Sequence, residues 1–395
     1  MKAIVLSGGG SKGSYQIGVW KALKKLHIKY DIITGTSVGA LNGALMTQNS
    51  YFKAIRLWKN INLKTLFGED AIDSEDTLEV LKMYKDNFLK NGGMNPKDLE
   101  KLIDKSINKR KFFSSKINYA LITFNLSDKK PLKLEKKEIE ENKLTDYLMA
   151  SASCYPAFKQ KEINNKKFID GGIYDNLPIN LAIDLGADEI ICVDLKAPGI
   201  KQPPKSKIPI IKITPNNKLT NFLNFNEKGS KRNMKFGYND TMKKFEKYEG
   251  NKYTFKKNTM DKNIKKYNNT WNYIIDKIID NEKIMSLFKK AISINDEFSE
   301  NILKKIILNT MENLADTLNL EETKVYSYKN FNKHLQKQFH KLTDTKEKNL
   351  TSKQKKIINL YNKFKEKNYK SLRKSCLISP TEFLQTLYLY TINEV

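Results

Sequence analysis

Apolar and polar positions follow two rhythms along the first half of the chain. Short β-branched runs, "AIVLSG" (residues 3–8) and "YDIITGTS" (30–37), are bounded by turn residues and read as buried strands. Between them, "SYQIGVWKALKKLH" sets Ile17, Val19, Trp20, Leu23 and Leu26 close to helical period. "VGALNGALMTQ" predicts a helix of small residues that packs tightly. Further strands are predicted at "NYALITFNL", "KKFIDGG", "DEIICVDL" and "IPIIKITP". Strands interleaved with helices imply an α/β layered sheet, largely parallel, over residues 1–215.

Beyond residue 215 the texture changes. In "WNYIIDKIIDNEKIMSLFKKAI", Trp271, Ile274, Ile275, Ile278 and Ile279 form one apolar face with charges opposite. "ENILKKIILNTMENLADTLNL" and "KQKKIINLYNKFKEK" have the same character, so residues 216–395 are predicted to be a basic, mostly helical region without an assigned role. The polar, basic stretch 226–269, dotted with aromatics, reads as a linker or surface excursion. No internal repeat is evident.

Composition adds a charge problem. The 395 residues leave room for two domains, and 71 Lys and Arg against 44 Asp and Glu give a net charge of +27. Such an excess suits a polyanionic partner, nucleic acid or an anionic membrane surface. The joint abundance of Lys, Asn and Ile, as A/T-rich codons produce, accounts for it equally well. Three scattered cysteines give no disulfide framework and no zinc pattern, and Cys192 in "EIICVDL" reads as core. Lys2 precedes too few apolar residues for a signal peptide, and no stretch has the length of a membrane span. The expectation is a cytoplasmic protein, with export by a route lacking a cleaved signal left open.

Two glycine-rich motifs carry the chemistry. Gly8, Gly9, Gly10, Ser11, Lys12 and Gly13 follow the first strand, and such a loop running into a helix is a ready anion site. A Walker A loop would end in Gly-Lys-Ser or Gly-Lys-Thr, whereas Lys12 precedes Gly13. Gly8, Gly10 and Gly13 do have dinucleotide-loop spacing. However, Asp31, the acid nearest the second strand, lies at its start rather than its end. A third reading comes from "GTSVG", Gly35 to Gly39, which has the form of a nucleophile elbow presenting Ser37 at a strand-to-helix turn. Adjacent parallel strands would set both loops at one sheet edge. The Gly9 and Gly10 amides would there receive an oxyanion while Ser37 attacks.

A serine nucleophile needs a base. His27 ends the first helix, and His334 and His340 lie in a basic helical stretch, a spacing that does not share a helical face. The better candidate is Asp170 in "KFIDGGIYDNLP", at a strand end and followed by Gly171 and Gly172. Asp175 and Asn176, just before Leu177 and Pro178, read as the cap of the next helix.

"GGGSKG", "GTSVG" and "DGG", in this order, together with "DGGIYDNLPINLAIDLGADEIICVDL", resemble the patatin-like phospholipases over roughly residues 2–215. The resemblance implies a three-layer α/β/α fold and a Ser–Asp dyad of Ser37 and Asp170. It further implies an oxyanion loop at Gly8–Gly13 and hydrolysis of acyl esters of phospholipids, lysophospholipids or neutral lipids without metal or cofactor. Lys12 stands where many relatives carry Arg, which keeps the charge and loses the planar fork. The competing expectation is a scaffold whose basic surface binds membrane, nucleic acid or a protein partner. Nucleic acid is the less favoured of these, and a peripheral contact with anionic membrane suits either reading.

Overall fold

The computed structural model describes residues 1–67, 77–92, 97–259 and 300–394, with isolated positions between 271 and 287. The chain divides into two compact units, Met1–Phe245 and Glu246–Val395.

The first unit is built on a mixed sheet. Its strands are β1 (Lys2–Leu6), β2 (Ile32–Thr36), β3 (Asn118–Asn125), β4 (Lys130–Glu135), β5 (Lys161–Ile163), β6 (Lys166–Asp170), β7 (Glu189–Val193) and β8 (Ile210–Ile213). The order is β5-β6-β3-β2-β1-β7-β8, with β4 also paired to β3. The five strands from β3 to β8 are parallel, as the alternating pattern predicts. At the other end β4, β5 and β6 run antiparallel. The lysine-rich β4 and the three-residue β5 carry little apolar signal of their own.

Strand residues alternate between two cores because successive side chains point to opposite faces. Ile4, Leu6, Ile33 and Ile191 join the larger core. On that face lie α1 (Ser14–Lys25), α2 (Val38–Thr47), α3 (Tyr51–Asn60), α4 (Leu63–Phe67), α5 (Thr77–Asn91), α6 (Lys97–Ser106), α7 (Lys109–Phe113) and α8 (Leu144–Ala152). Ala3, Val5, Ile32, Ile190 and Cys192 form a second core with Ile179 and Ala182 of α9 (Ile179–Asp184). Helices therefore cover both faces, giving the three-layer α/β/α arrangement.

The stretch read as a linker is in part a helix. α10 (Glu227–Lys244) is capped by Asn226, whose side chain accepts the Gly229 amide at 2.6 Å, and it packs along α1. A Cβ on Gly18 of α1 would fall 1.9 Å from the Met234 carbonyl oxygen, and one on Gly237 of α10 would fall 2.0 Å from that of Tyr15. The helices touch backbone to backbone at these points. Tyr15 also donates to Asp240 at 3.0 Å, and Asp240 pairs with Lys243 at 2.9 Å. The first compact unit consequently runs to Phe245 instead of ending near 215.

The second unit is mainly helical, with helices Glu300–Thr317, Tyr328–Thr343, Ser352–Lys365, Tyr369–Ile378 and Pro380–Glu394. Its core takes in Trp271, Ile274, Ile275, Ile278 and Ile279, the apolar face expected there; the rest of that predicted helix lies partly outside the described residues. A small sheet of Tyr248–Glu249, Thr254–Lys256 and Val325–Tyr326, too short to leave a periodic signal, completes it. Among the described residues no helix is long and apolar enough to cross a membrane.

Candidate active site

β2 ends at Thr36 and α2 begins at Val38, so Ser37 makes the whole turn. It does so at φ 57° and ψ −130°, a conformation that costs a non-glycine residue ~1–3 kcal/mol. Gly39 makes the turn fit, since a Cβ there would lie 2.2 Å from the Leu6 carbonyl oxygen. The Ser37 amide donates to Ser151 Oγ at 2.9 Å, and that hydroxyl donates to the Ile122 carbonyl at 2.7 Å. The strained turn is thereby pinned to β3.

Register along β3 brings the carboxylate in. Residues 118–122 of β3 pair with β2 as far as Thr36, and residues 123–125 then pair with β6, Asp170 lying opposite Thr123. β2 and β6 thus meet end to end on one edge of β3. Convergence comes from an antiparallel strand arriving head-on, where the sequence suggested only a shared sheet edge. The Ser37 side chain lies within hydrogen-bonding reach of the Asp170 carboxyl. Asp170 Oδ1 accepts the Gly172 amide at 2.7 Å. Burial pushes the Asp170 pKa from 3.8 up to about 6, while the bonds from Ser37 and Gly172 pull it the other way. Such a carboxylate is ionised at neutral pH and more basic than an exposed one.

β1 and β2 are parallel neighbours, so the glycine loop lies beside the elbow. The six loop residues differ in what their backbones do. The Gly8 amide is held by Asn176, by its carbonyl and by Oδ1, both at 3.1 Å. The Ser11 amide donates to Phe222 at 2.9 Å and the Lys12 amide to Gly9 at 3.1 Å. Gly13 packs under α2, where a Cβ would lie 2.4 Å from Val38. Gly9 and Gly10 line the same cavity as Ser37 and Asp170. Gly10 sits at φ 53°, and a Cβ there would fall 2.1 Å from the Phe222 carbonyl oxygen. Lys12 is half-buried, its Nζ 3.5 Å from the Lys196 carbonyl, and burial lowers its pKa. The Asp31 carboxylate accepts the Lys2 amide at 2.9 Å at the opposite end of these strands, which leaves the dinucleotide reading without its acid.

Several positioning residues escape the sequence reading. Asn176 is not a helix cap: it clamps Gly8 and donates from Nδ2 to Pro198 at 2.9 Å, tying two loops together. Asp175 Oδ1 accepts the Leu177 amide at 3.1 Å in a turn ahead of α9, whose N-terminal flank is Pro178. Buried Asn42 donates to Gly13 and Gln16 and accepts from Trp58, joining loop and helices. Nearness in sequence to Gly171 and Gly172 is the one signal that marks Asn176; Asn42 and Ser151 have none.

The cavity above Ser37 and Asp170 measures about 570 Å³, within the range of ligand pockets. Its walls include Leu57, Trp58, Leu99, Ile103, Phe158 and Phe225, all buried. Cys154 also lines it, its thiol pushed up to about 12 by burial and by the Asp170 charge, hence neutral. No histidine is among the described lining residues. His27 is exposed after α1, and in the second unit His334 is engaged by Lys324 and the Asn330 carbonyl.

A three-layer α/β/α unit with glycine loop, elbow serine and strand-ending Asp-Gly-Gly gathered at one place defines a patatin-like architecture. Residues 4–183 match the Patatin family, described as patatin-like phospholipase. The chain is 28% identical over 197 residues to patatin-like phospholipase domain-containing protein 7 of Rattus norvegicus, covering 49% of this chain and 13% of the rat protein. It is 28% identical over 186 residues to the probable lipid hydrolase 463L of Invertebrate iridescent virus 6, covering 46% of this chain and 63% of the viral one. The chain thus spans a small part of the rat relative's length. VipD from Legionella pneumophila aligns at 15% identity and a TM-score of 0.42, over 99% of this chain and 91% of that one.

Proposed function

We propose that the first unit is a serine acyl hydrolase that cleaves acyl esters of phospholipids or lysophospholipids. One observation carries the reading: a serine strained at an elbow lies within hydrogen-bonding reach of a buried aspartate of raised pKa, beside an apolar cavity. Asp170 takes the Ser37 proton as Oγ attacks the ester carbonyl. The Gly9 and Gly10 amides receive the oxyanion, an interaction in which one donor contributes ~10²–10³ in rate. The tetrahedral intermediate collapses to an acyl-serine, and the alcohol leaves with the proton returned by Asp170. Water, deprotonated by the same carboxylate, then releases the fatty acid. The buried walls hold the acyl chain at about 0.8 kcal/mol per methylene removed from water. No step draws on a metal or cofactor, and no histidine takes part.

A fluorophosphonate should label the wild-type chain and leave Ser37→Ala unlabelled. Against a lipid panel read by mass spectrometry, Ser37→Ala and Asp170→Asn should each release no fatty acid while remaining folded. Near-normal turnover by Asp170→Asn would reject the dyad. Inactivity of a folded double variant, His334→Ala with His340→Ala, would point to a triad instead.

A further inference from the structure

Between β8 and α10 the chain crosses the glycine loop, and residues 220–225 form a strap that touches both the loop and the cavity. Phe222 does both at once. It lines the cavity, while its carbonyl accepts the Ser11 amide at 2.9 Å and lies so close to Gly10 that a Cβ there would fall 2.1 Å away. Leu223 and Phe225 line the cavity beside it. Tyr84 of α5 donates to the Leu223 carbonyl at 3.2 Å, and the Phe225 ring stacks on Trp58 with centroids 6.4 Å apart. One short segment is therefore a cavity wall and the backing of the glycine loop.

The Ser11 hydroxyl ties the two together. Ser11 Oγ donates to the Asn221 carbonyl at 2.7 Å and lies 3.1 Å from Thr220 Oγ1. Asn233 of α10 donates from Nδ2 to the same Thr220 oxygen at 2.9 Å. A hydroxyl has a single proton, so with that of Ser11 given to Asn221, Thr220 donates to Ser11. A directed chain of hydrogen bonds runs from Asn233 through Thr220 and Ser11 to Asn221. Ser11 is buried and is not among the described residues lining the cavity, so it acts through the strap. Buried hydroxyls bonded in series hold their segments in one arrangement.

We propose that Ser11 is a positioning residue that couples occupancy of the cavity by an acyl chain to the oxyanion loop. A chain packed against Phe222, Leu223 and Phe225 fixes the strap, and the strap, through Ser11, holds the Gly10 amide where the oxyanion forms. The substrates this favours are long-chain acyl esters, an inference that rests on the acyl hydrolase reading. Binding energy from the chain is then realised in the transition state, so a truncated substrate loses kcat as well as affinity. Acylation and deacylation both pass through an oxyanion with the acyl chain in place, and the coupling bears on either step.

The test compares p-nitrophenyl butyrate with p-nitrophenyl octanoate on the full chain. Wild type should show a kcat about tenfold higher on octanoate, as better placement of the reacting groups gives. Ser11→Ala should bring the ratio of the two kcat values towards one, the loss falling on kcat for octanoate rather than on its KM. Thr220→Val keeps the side-chain shape, removes the hydroxyl and should lower the ratio in the same direction. Combined with Ser11→Ala it should add little, as members of one network do. Thermal melts confirm folding, and where Ser11→Ala does not fold, Thr220→Val alone decides. Equal kcat on both esters in wild type overturns the coupling. So does a fall in both rates at an unchanged ratio, which is what simple destabilisation gives. Failure of the hydrolase reading would appear separately, as absent fluorophosphonate labelling of the wild-type chain.

Discussion

Ser37 and Asp170 are each held in a state that an isolated residue would leave. Ser37 carries a positive φ that glycine would adopt freely. Ser37→Gly should thus raise stability by about 1 kcal/mol over Ser37→Ala in denaturant unfolding, while neither variant is labelled. Asp170 titrates near 6 when folded against 3.8 unfolded, so the native state binds its proton more tightly. The sign follows: this group's contribution to stability is present below pH 3.8 and lost as pH rises through about 6. Asp170→Asn should accordingly be more stable than wild type at pH 7.5, by up to ~3 kcal/mol, with the gap closing below pH 4. With Asp170 as the proposed base, activity runs the other way, because that base must be ionised. The rate kcat/KM should fall about tenfold per pH unit below a midpoint near 6. Asn176→Ala frees the Gly8 amide from its side-chain clamp and should lower kcat by about tenfold or more with little change in KM, since displacing a donor harms the transition state most.

At the scale of elements, two junctions decide whether the site exists. One is the edge of β3, where β2 ends and β6 takes over, setting the hydroxyl and carboxylate one register step apart. The other is the seam of α1 and α10, which carries the helix following the glycine loop. Gly237→Val places a branched side chain where even a Cβ would lie 2.0 Å from the Tyr15 carbonyl oxygen. Overpacking of that kind costs about 1–3 kcal/mol, read as a lower urea midpoint with an unchanged m-value. The seam also explains why α10 does not stand out in the sequence. Its buried face includes Gly229, Ser230, Asn233, Gly237, Asp240 and Thr241, small or polar groups that contact backbone and share hydrogen bonds. Apolar periodicity cannot report a helix packed in this way. α1, by contrast, buries Ile17, Val19, Trp20 and Leu23 and is plain at first reading.

At the scale of the whole molecule, each unit has its own apolar core. A chain ending at Phe245 should keep cooperative unfolding and fluorophosphonate labelling, whereas one ending at 215 loses α10, bares α1 and should aggregate; gel filtration and thermal melts distinguish them. The sequence alone determined the strands of the parallel core and the helices between them, and it singled out Ser37, Asp170 and the glycine loop as candidates. Each is written locally, in a run of β-branched residues or in glycines where the backbone must turn. Tertiary structure decided the rest: the antiparallel approach of β6, the exposure of Gly9 and Gly10 among the loop residues to the cavity, the clamp from Asn176, and the helix hidden in a polar stretch. These depend on which distant backbone groups become partners, and a hydrogen bond between residues 168 positions apart leaves no trace in the hydrophobic pattern of either.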